Sequence, residues 1–220
     1  MNPPAVRFAV VDHGAGNLVS IEQALTRIGA TVTIARDPHD LTAADALVVP
    51  GVGAAAPAMD RLRAQDLVGP VRDWIAADRP YLGICLGLQL LFEGSDEDGA
   101  ETLGVLAGRT VRLTDAPTLP HIGWNQVERA PGTEHPLFAG IAPGADFYFV
   151  HSYAGLPPRG GGDPTIATTT HGASFVSAVA RSNLIGVQFH PERSGSDGLR
   201  LLANVSALVG AAIGRAAIPA

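Results

Sequence analysis

Two short stretches of this chain hold the residue types that nucleophilic catalysis needs. Gly83-Ile84-Cys85-Leu86-Gly87 sets the only cysteine between two glycines, and far along the chain His190-Pro191-Glu192 sets an imidazole two residues before a carboxylate. A thiol becomes an effective nucleophile when a neighbouring base takes its proton and a third group orients that base. Gly-x-Cys-x-Gly is the thiol counterpart of the Gly-x-Ser-x-Gly elbow, a sharp strand-to-helix turn at which flanking side chains would collide with adjacent strands. Such a turn puts Cys85 at a helix N-terminus, where unpaired amides and the helix dipole favour the thiolate. The competing readings are an inert buried cysteine and a structural histidine. The glycine frame, the rigid proline after His190 and the glutamate beyond it favour catalysis.

These groups need a scaffold that brings them together. Tyr81 to Ile84 is a short apolar run that reads as a buried strand, with Leu88, Leu91 and Phe92 following at helical spacing. Upstream, Val6 to Asp12 reads as a first strand and His13 to Asn17 as a tight loop ending in a helix N-cap. Leu18, Ile21, Leu25 and Ile28 form an apolar stripe, Gly29 stops it, and Thr31 to Ala35 is a second strand. This is a βαβ unit. Ala46 to Val49 is a third strand, ended by Pro50-Gly51-Val52-Gly53. Helical segments follow around Ala56 to Leu62 and Leu67 to Ala77. Right-handed crossovers then put the Pro50 loop and Cys85 on one edge of a parallel sheet.

The second half is punctuated by Pro and Gly and carries shorter segments: Arg109 to Leu113, Ile122 to Val127, Phe147 to Val150, Thr165 to Thr169 and Phe175 to Arg181. They read as a mixed or antiparallel extension of the sheet. Arg159-Gly160-Gly161-Gly162 reads as a hairpin or exposed loop, Leu184 to Phe189 as a buried strand, and Gly198 to Val209 as a final helix with a loose tail. No repeat and no long linker interrupts residues 1–220, so one domain is expected. The expected class is α/β, with helices on both faces.

Composition closes off several functions. The net charge is −6 without a basic cluster, which argues against nucleic acid. All 15 basic residues are arginine, so a Schiff-base or P-loop lysine is excluded. One cysteine makes no internal disulfide, the start of the chain lacks signal-peptide character, and no apolar run reaches the length of a spanning helix. A cytoplasmic protein without a membrane segment is expected. Gly14-x-Gly16 and Asp37 supply fragments of a dinucleotide fingerprint, but position 19 is valine. The alternatives are a simple turn, or a loop lining a site or an interface at the sheet's C-terminal edge.

Gly83-Ile84-Cys85-Leu86-Gly87-Leu88-Gln89 and Gln188-Phe189-His190-Pro191-Glu192 resemble, in order and separation, the two signatures of class I (triad-type) glutamine amidotransferases. Pro50-Gly51-Val52-Gly53, Pro120-His121-Ile122-Gly123-Trp124-Asn125 and Tyr148-Phe149-Val150-His151-Ser152-Tyr153 are similar to one subfamily, the glutaminase subunits of imidazole glycerol phosphate synthase in histidine biosynthesis. The Gly16-Asn17-Leu18 start is also that subfamily's habit. The resemblance covers essentially the whole chain and implies a flavodoxin-like open sheet.

It further implies that Cys85 attacks the side-chain amide of glutamine, that His190 moves the proton, and that Glu192 holds the imidazole. A γ-glutamyl thioester forms and water releases glutamate. The backbone amides of Leu86 and of Val52 or Gly53 form the oxyanion hole, with the Val52 peptide rearranging to do so. Gln89 and Glu97 contact the substrate; for Glu97 the plain alternative is a solvated loop acid. No metal and no cofactor are implied. Ammonia passes through an internal channel to a (βα)8-barrel cyclase, which makes imidazole glycerol phosphate and an aminoimidazole carboxamide ribotide. Asn17, Trp124, Tyr148 and Arg193 fall at that interface, with core packing as the alternative for the two aromatics. Arg193 stands where lysine is usual.

Two other functions compete. One is a different glutaminase subunit or stand-alone thiol hydrolase of the same fold, which would turn over glutamine rapidly without a partner. The other is a non-catalytic flavodoxin-like module using Gly14–Gly16 as a phosphate cradle, which would bind nucleotide or flavin and lack thiol reactivity.

Overall fold

A computed structural model describes residues 5–156 and 163–216; the Arg159–Gly162 loop and the last residues of the tail lie outside them. The first half runs β1 (Arg7–Val11), α1 (Leu18–Arg27), β2 (Thr31–Ala35), β3 (Ala46–Gly51), α2 (Ala55–Ala64), α3 (Val68–Ala76), β4 (Tyr81–Cys85) and α4 (Leu86–Gln89). The second half adds β5 (Gly94–Ser95), β6 (Arg109–Arg112), β7 (His121–Gln126), β8 (Glu128–Arg129), β9 (Asp146–His151), β10 (Tyr153–Gly155), β11 (Thr165–His171), β12 (Ala173–Arg181), β13 (Leu184–Val187) and α5 (Gly195–Ala216).

The main sheet has eight strands in the order β2-β1-β3-β4-β13-β12-β11-β8. From β2 to β13 the pairing is parallel; beyond β13 it is antiparallel. The parallel strands are buried on both sides, which is why they read as unbroken apolar runs. One face packs against α1 and α5 through Ile21, Leu25, Leu201, Leu202 and Val205. The other packs against α2 and α3 through Met59, Leu62, Val71 and Trp74. This is the expected open sheet with helices on both faces.

Several details depart from the sequence reading. β6, β7, β9 and β10 do not extend the main sheet: β7 pairs with β9, and β10-β6-β5 is a separate three-stranded sheet. β3 runs through Pro50 instead of stopping before it. β1 pairs with β3 only as far as Val48, so the missing proline N–H leaves no bond unmade on that side. α4 is a single turn, shorter than the spacing of Leu88, Leu91 and Phe92 suggests. α5 is longer than expected and, by length and composition alone, meets the size of a membrane-crossing helix. Its apolar stripe lies buried on the sheet at Leu201, Leu202, Val205 and Val209.

Candidate active site

The register of the sheet sets the site. Gly51 at the end of β3 lies opposite Cys85 at the end of β4, and on the far side of β4 lies β13, which leads into His190. Three segments distant in sequence therefore meet at the C-terminal edge of the parallel strands.

Cys85 adopts φ +53° and ψ −105°, a conformation that L-residues rarely take and that costs about 1–3 kcal/mol. The elbow's glycines are steric necessities. A Cβ on Gly87 would overlap the carbonyl oxygen of Val49, and one on Gly83 would sit 2.6 Å from the carbonyl oxygen of Gly87. The turn so compressed presents the amide of Leu86, the first residue of α4, which has no carbonyl four residues back to meet. Because α4 has only four residues, this amide, and not a long helix dipole, is the electrophilic feature next to the sulfur.

Cys85 is 3 % exposed. Its sulfur lies 3.8 Å from the carbonyl oxygen of Val150 and 3.5 Å from the side-chain nitrogen of Gln188. His190 is buried, and its Nδ1 donates to Glu192 Oε1 at 2.7 Å, with both side chains nearly inaccessible. Its other nitrogen, Nε2, is buried without a hydrogen-bond partner. Burial disfavours the charged ring, but the Cys85 sulfur, chiefly by its charge, and Glu192 overcome this and push the imidazole up to about 10. The neighbouring negative charge thus favours the imidazolium form of His190.

Proline 191 and the short 3-10 turn Pro191–Arg193 fold Glu192 back toward the ring. The turn is tied to β9: the amide of His190 donates to the carbonyl of Tyr148, the Ser194 hydroxyl donates to the carbonyl of His190, and the amide of Tyr148 donates to Ser194 Oγ. Arg193 lies over the Tyr148 ring, with its guanidinium carbon 4.1 Å from the centroid, and Trp124 meets Tyr148 edge-on at 6.2 Å. Tyr148 is half-buried, whereas Trp124 is 57 % and Ile122 59 % exposed. Core packing is thus ruled out for Trp124. Asn17 is exposed, and its side chain caps α1 by accepting from the amide of Ser20.

Val52 and Gly53 are exposed where the chain leaves β3, and Gly53 has φ +96°. His13 anchors this segment: its Nε2 donates to the carbonyl of Pro50 at 2.5 Å, and its ring occupies the space that a Cβ on Gly51 would need. Burial holds His13 in the neutral form. Gly16 packs against Gly51, since a Cβ there would come within 3.2 Å of the Gly51 Cα. The Gly14–Gly16 loop therefore packs against the end of β3, next to the segment that carries Val52 and Gly53.

A cavity of about 160 Å³ opens on Cys85 and is walled by Gly53, Gln89, Glu97 and the Val150–Tyr153 segment. Gln89 is buried and Glu97 exposed at the mouth, where partial burial and then Asp98 push its carboxyl up. The structure thus places Cys85, Gly53, Gln89 and Glu97 around one cavity, with the His190–Glu192 pair close enough to Cys85 for the sulfur to act on the ring, and leaves Asn17, Trp124, Tyr148 and Arg193 outside the cavity. The sequence reading passed over His13 and Gln188. His13 carries no signal beyond its position after the first strand, and Gln188 stands in the second signature without a role of its own. Among the described residues, no group of three or more His, Cys, Asp or Glu side chains is arranged to hold a metal ion.

The family pattern "Glutamine amidotransferase class-I" matches residues 9–206. The chain is 47 % identical over 206 residues to the imidazole glycerol phosphate synthase subunit HisH of Symbiobacterium thermophilum, covering 92 % of this chain and 94 % of that one. It is 46 % identical to the protein of the same name from Thermosynechococcus vestitus, covering 95 % and 99 %. Among solved structures, PurLQS from Thermotoga maritima superposes with a TM-score of 0.70 at 15 % identity, covering 92 % and 98 %. A glutamine amidotransferase from the same organism superposes with a TM-score of 0.61 at 17 % identity, covering 97 % and 98 %. These last two are likenesses of fold.

Proposed function

The chain belongs to the class-I glutamine amidotransferases, among the glutaminase subunits of imidazole glycerol phosphate synthase, and from that premise we propose how its residues divide the work. The Cys85 thiolate attacks the side-chain carbonyl carbon of glutamine. The amides of Leu86 and of Val52 or Gly53 receive the oxyanion, the latter pair after the exposed peptide at the end of β3 turns over. His190, already protonated, gives its proton to the departing nitrogen, so that ammonia leaves and a γ-glutamyl thioester remains. The now neutral ring takes a proton from water, which attacks the thioester and frees glutamate. Glu192 holds the ring in the tautomer and orientation for both steps. Gln89 and Glu97 line the substrate pocket, and Glu97 is suited to the α-ammonium group.

Ammonia is then passed to a cyclase subunit. We assign that partner a (βα)8 barrel, docked on the face that carries Asn17, Trp124, Tyr148 and Arg193, with the chain acting as one domain in the cytoplasm. An exposed tryptophan braced by a tyrosine and an arginine suits a protein partner. Arg193 keeps the charge of the usual lysine but spreads it over a plane that stacks on Tyr148.

The observation that carries the reading is the buried His190–Glu192 pair beside the strained Cys85. The experiment is Cys85→Ala in the assembled complex. Glutamine-dependent synthesis should vanish while ammonia-dependent synthesis persists; loss of both would give the cysteine a structural role.

A further inference from the structure

Gln188 is fully buried directly after β13, and its side chain touches the nucleophile. Its orientation follows from donor and acceptor chemistry. The carbonyl oxygen of Tyr153 can only accept, so the Gln89 group 2.7 Å away is its NH2. The same nitrogen lies 3.1 Å from the Gln188 carboxamide, which must offer it an oxygen. That leaves the NH2 of Gln188 turned to the Cys85 sulfur at 3.5 Å. The Tyr153 carbonyl is itself held in place. His151 Nδ1 donates to it at 3.0 Å, His121 Nδ1 donates to His151 Nε2 at 3.2 Å, and the Asn125 NH2 donates to His121 Nε2 at 3.2 Å. Burial keeps both rings neutral, as this pattern requires.

We propose that Gln188 is a further catalytic residue: its side-chain NH2 donates a hydrogen bond to the Cys85 sulfur and favours the thiolate over the thiol. The Val150 carbonyl, 3.8 Å from the sulfur, is an acceptor and favours the thiol, so Gln188 decides the balance on this side of the sulfur. Gln89 and the Tyr153 carbonyl are positioning groups, because they deny Gln188 the flipped orientation. The proposal rests on Cys85 being the nucleophile.

The test is Gln188→Met in the full-length chain with its cyclase partner, since methionine keeps the length and removes the donor. A hydrogen bond to an ionised acceptor is worth a factor of about ten or more. Alkylation of Cys85 by iodoacetamide at pH 7 should slow about tenfold, and kcat for glutamine should fall by a similar factor with KM little changed. If Q188M fails to fold, Gln188→Asn, one methylene too short to reach the sulfur, takes its place. Unchanged alkylation and kcat in a folded variant would overturn the proposal and leave Cys85 as nucleophile. A Cys85→Ala chain that still used glutamine would instead overturn the reading beneath it.

Discussion

Replacing Glu192 with glutamine probes the electrostatics of the triad with almost no change of shape. The amide oxygen still accepts from His190 Nδ1, but the negative charge 2.7 Å from the ring is gone. In the native site the ring is pushed from an ordinary 6.5 up to about 10. That corresponds to roughly 5 kcal/mol of net preference for the charged ring, supplied jointly by Cys85 and Glu192 against burial. A charge-assisted hydrogen bond contributes about 1.5–3 kcal/mol of this. Glutamine-dependent kcat should therefore fall roughly ten- to a hundredfold, with KM nearly unchanged and ammonia-dependent synthesis intact. The pH dependence of stability has a definite sign. A group whose pKa is raised by folding stabilises the fold fully below its unfolded value, and that contribution fades as pH climbs toward the folded one. For His190 the window runs from 6.5 to about 10. Urea unfolding across that window should show a shallower decline in E192Q than in the native chain. A variant that kept its kcat within twofold, or showed an undiminished decline, would refute the assignment of Glu192 as the ring's charge partner.

Two further outcomes follow from exposure and burial. Trp124→Ala should leave thermal unfolding almost unchanged, because the ring is mostly in solvent, yet weaken cyclase binding by about tenfold or more; calorimetric titration of the two subunits reads this directly. His121 and His151 are lowered by burial to about 4 and about 3, so folding disfavours their protonation. Their contribution is complete above pH 6.5 and is lost as pH falls toward those values, so circular dichroism should show acid unfolding inside that range, delayed to lower pH in His121→Asn.

Most of what positions Cys85 is legible because it is local. Asn17 has the right oxygen for a cap, Thr31–Ala35 is β-branched, and the Gly83–Cys85–Gly87 spacing states a steric requirement that the Val49 and Gly87 carbonyls impose. What escapes the sequence is non-local. Nothing in Glu128–Arg129 or Tyr153–Gly155 signals a strand, since two or three residues have no periodicity and are strands only by virtue of their partners. The separation of β7 and β9 from the main sheet depends on which edges are free after β11 and β12 have paired. The polar first turn of α5 hides its start, because the apolar stripe begins only at Leu199. Gln188 escapes for a related reason: its meaning depends on which atom of Gln89 faces it, and that is set by a backbone carbonyl 35 residues earlier, at Tyr153.

The place of β13 has a consequence for biogenesis. It enters the sheet between β4 and β12, late in the chain yet near the middle of the fold. A ribosome that has released only the first half of this polypeptide has already made the thiol, but neither the imidazole nor the strand that seals its neighbour. Under the division of roles proposed above, hydrolytic competence arrives in a single late event, when the closing segment slots in and carries the imidazole with it, and an abandoned fragment has no machinery with which to squander glutamine.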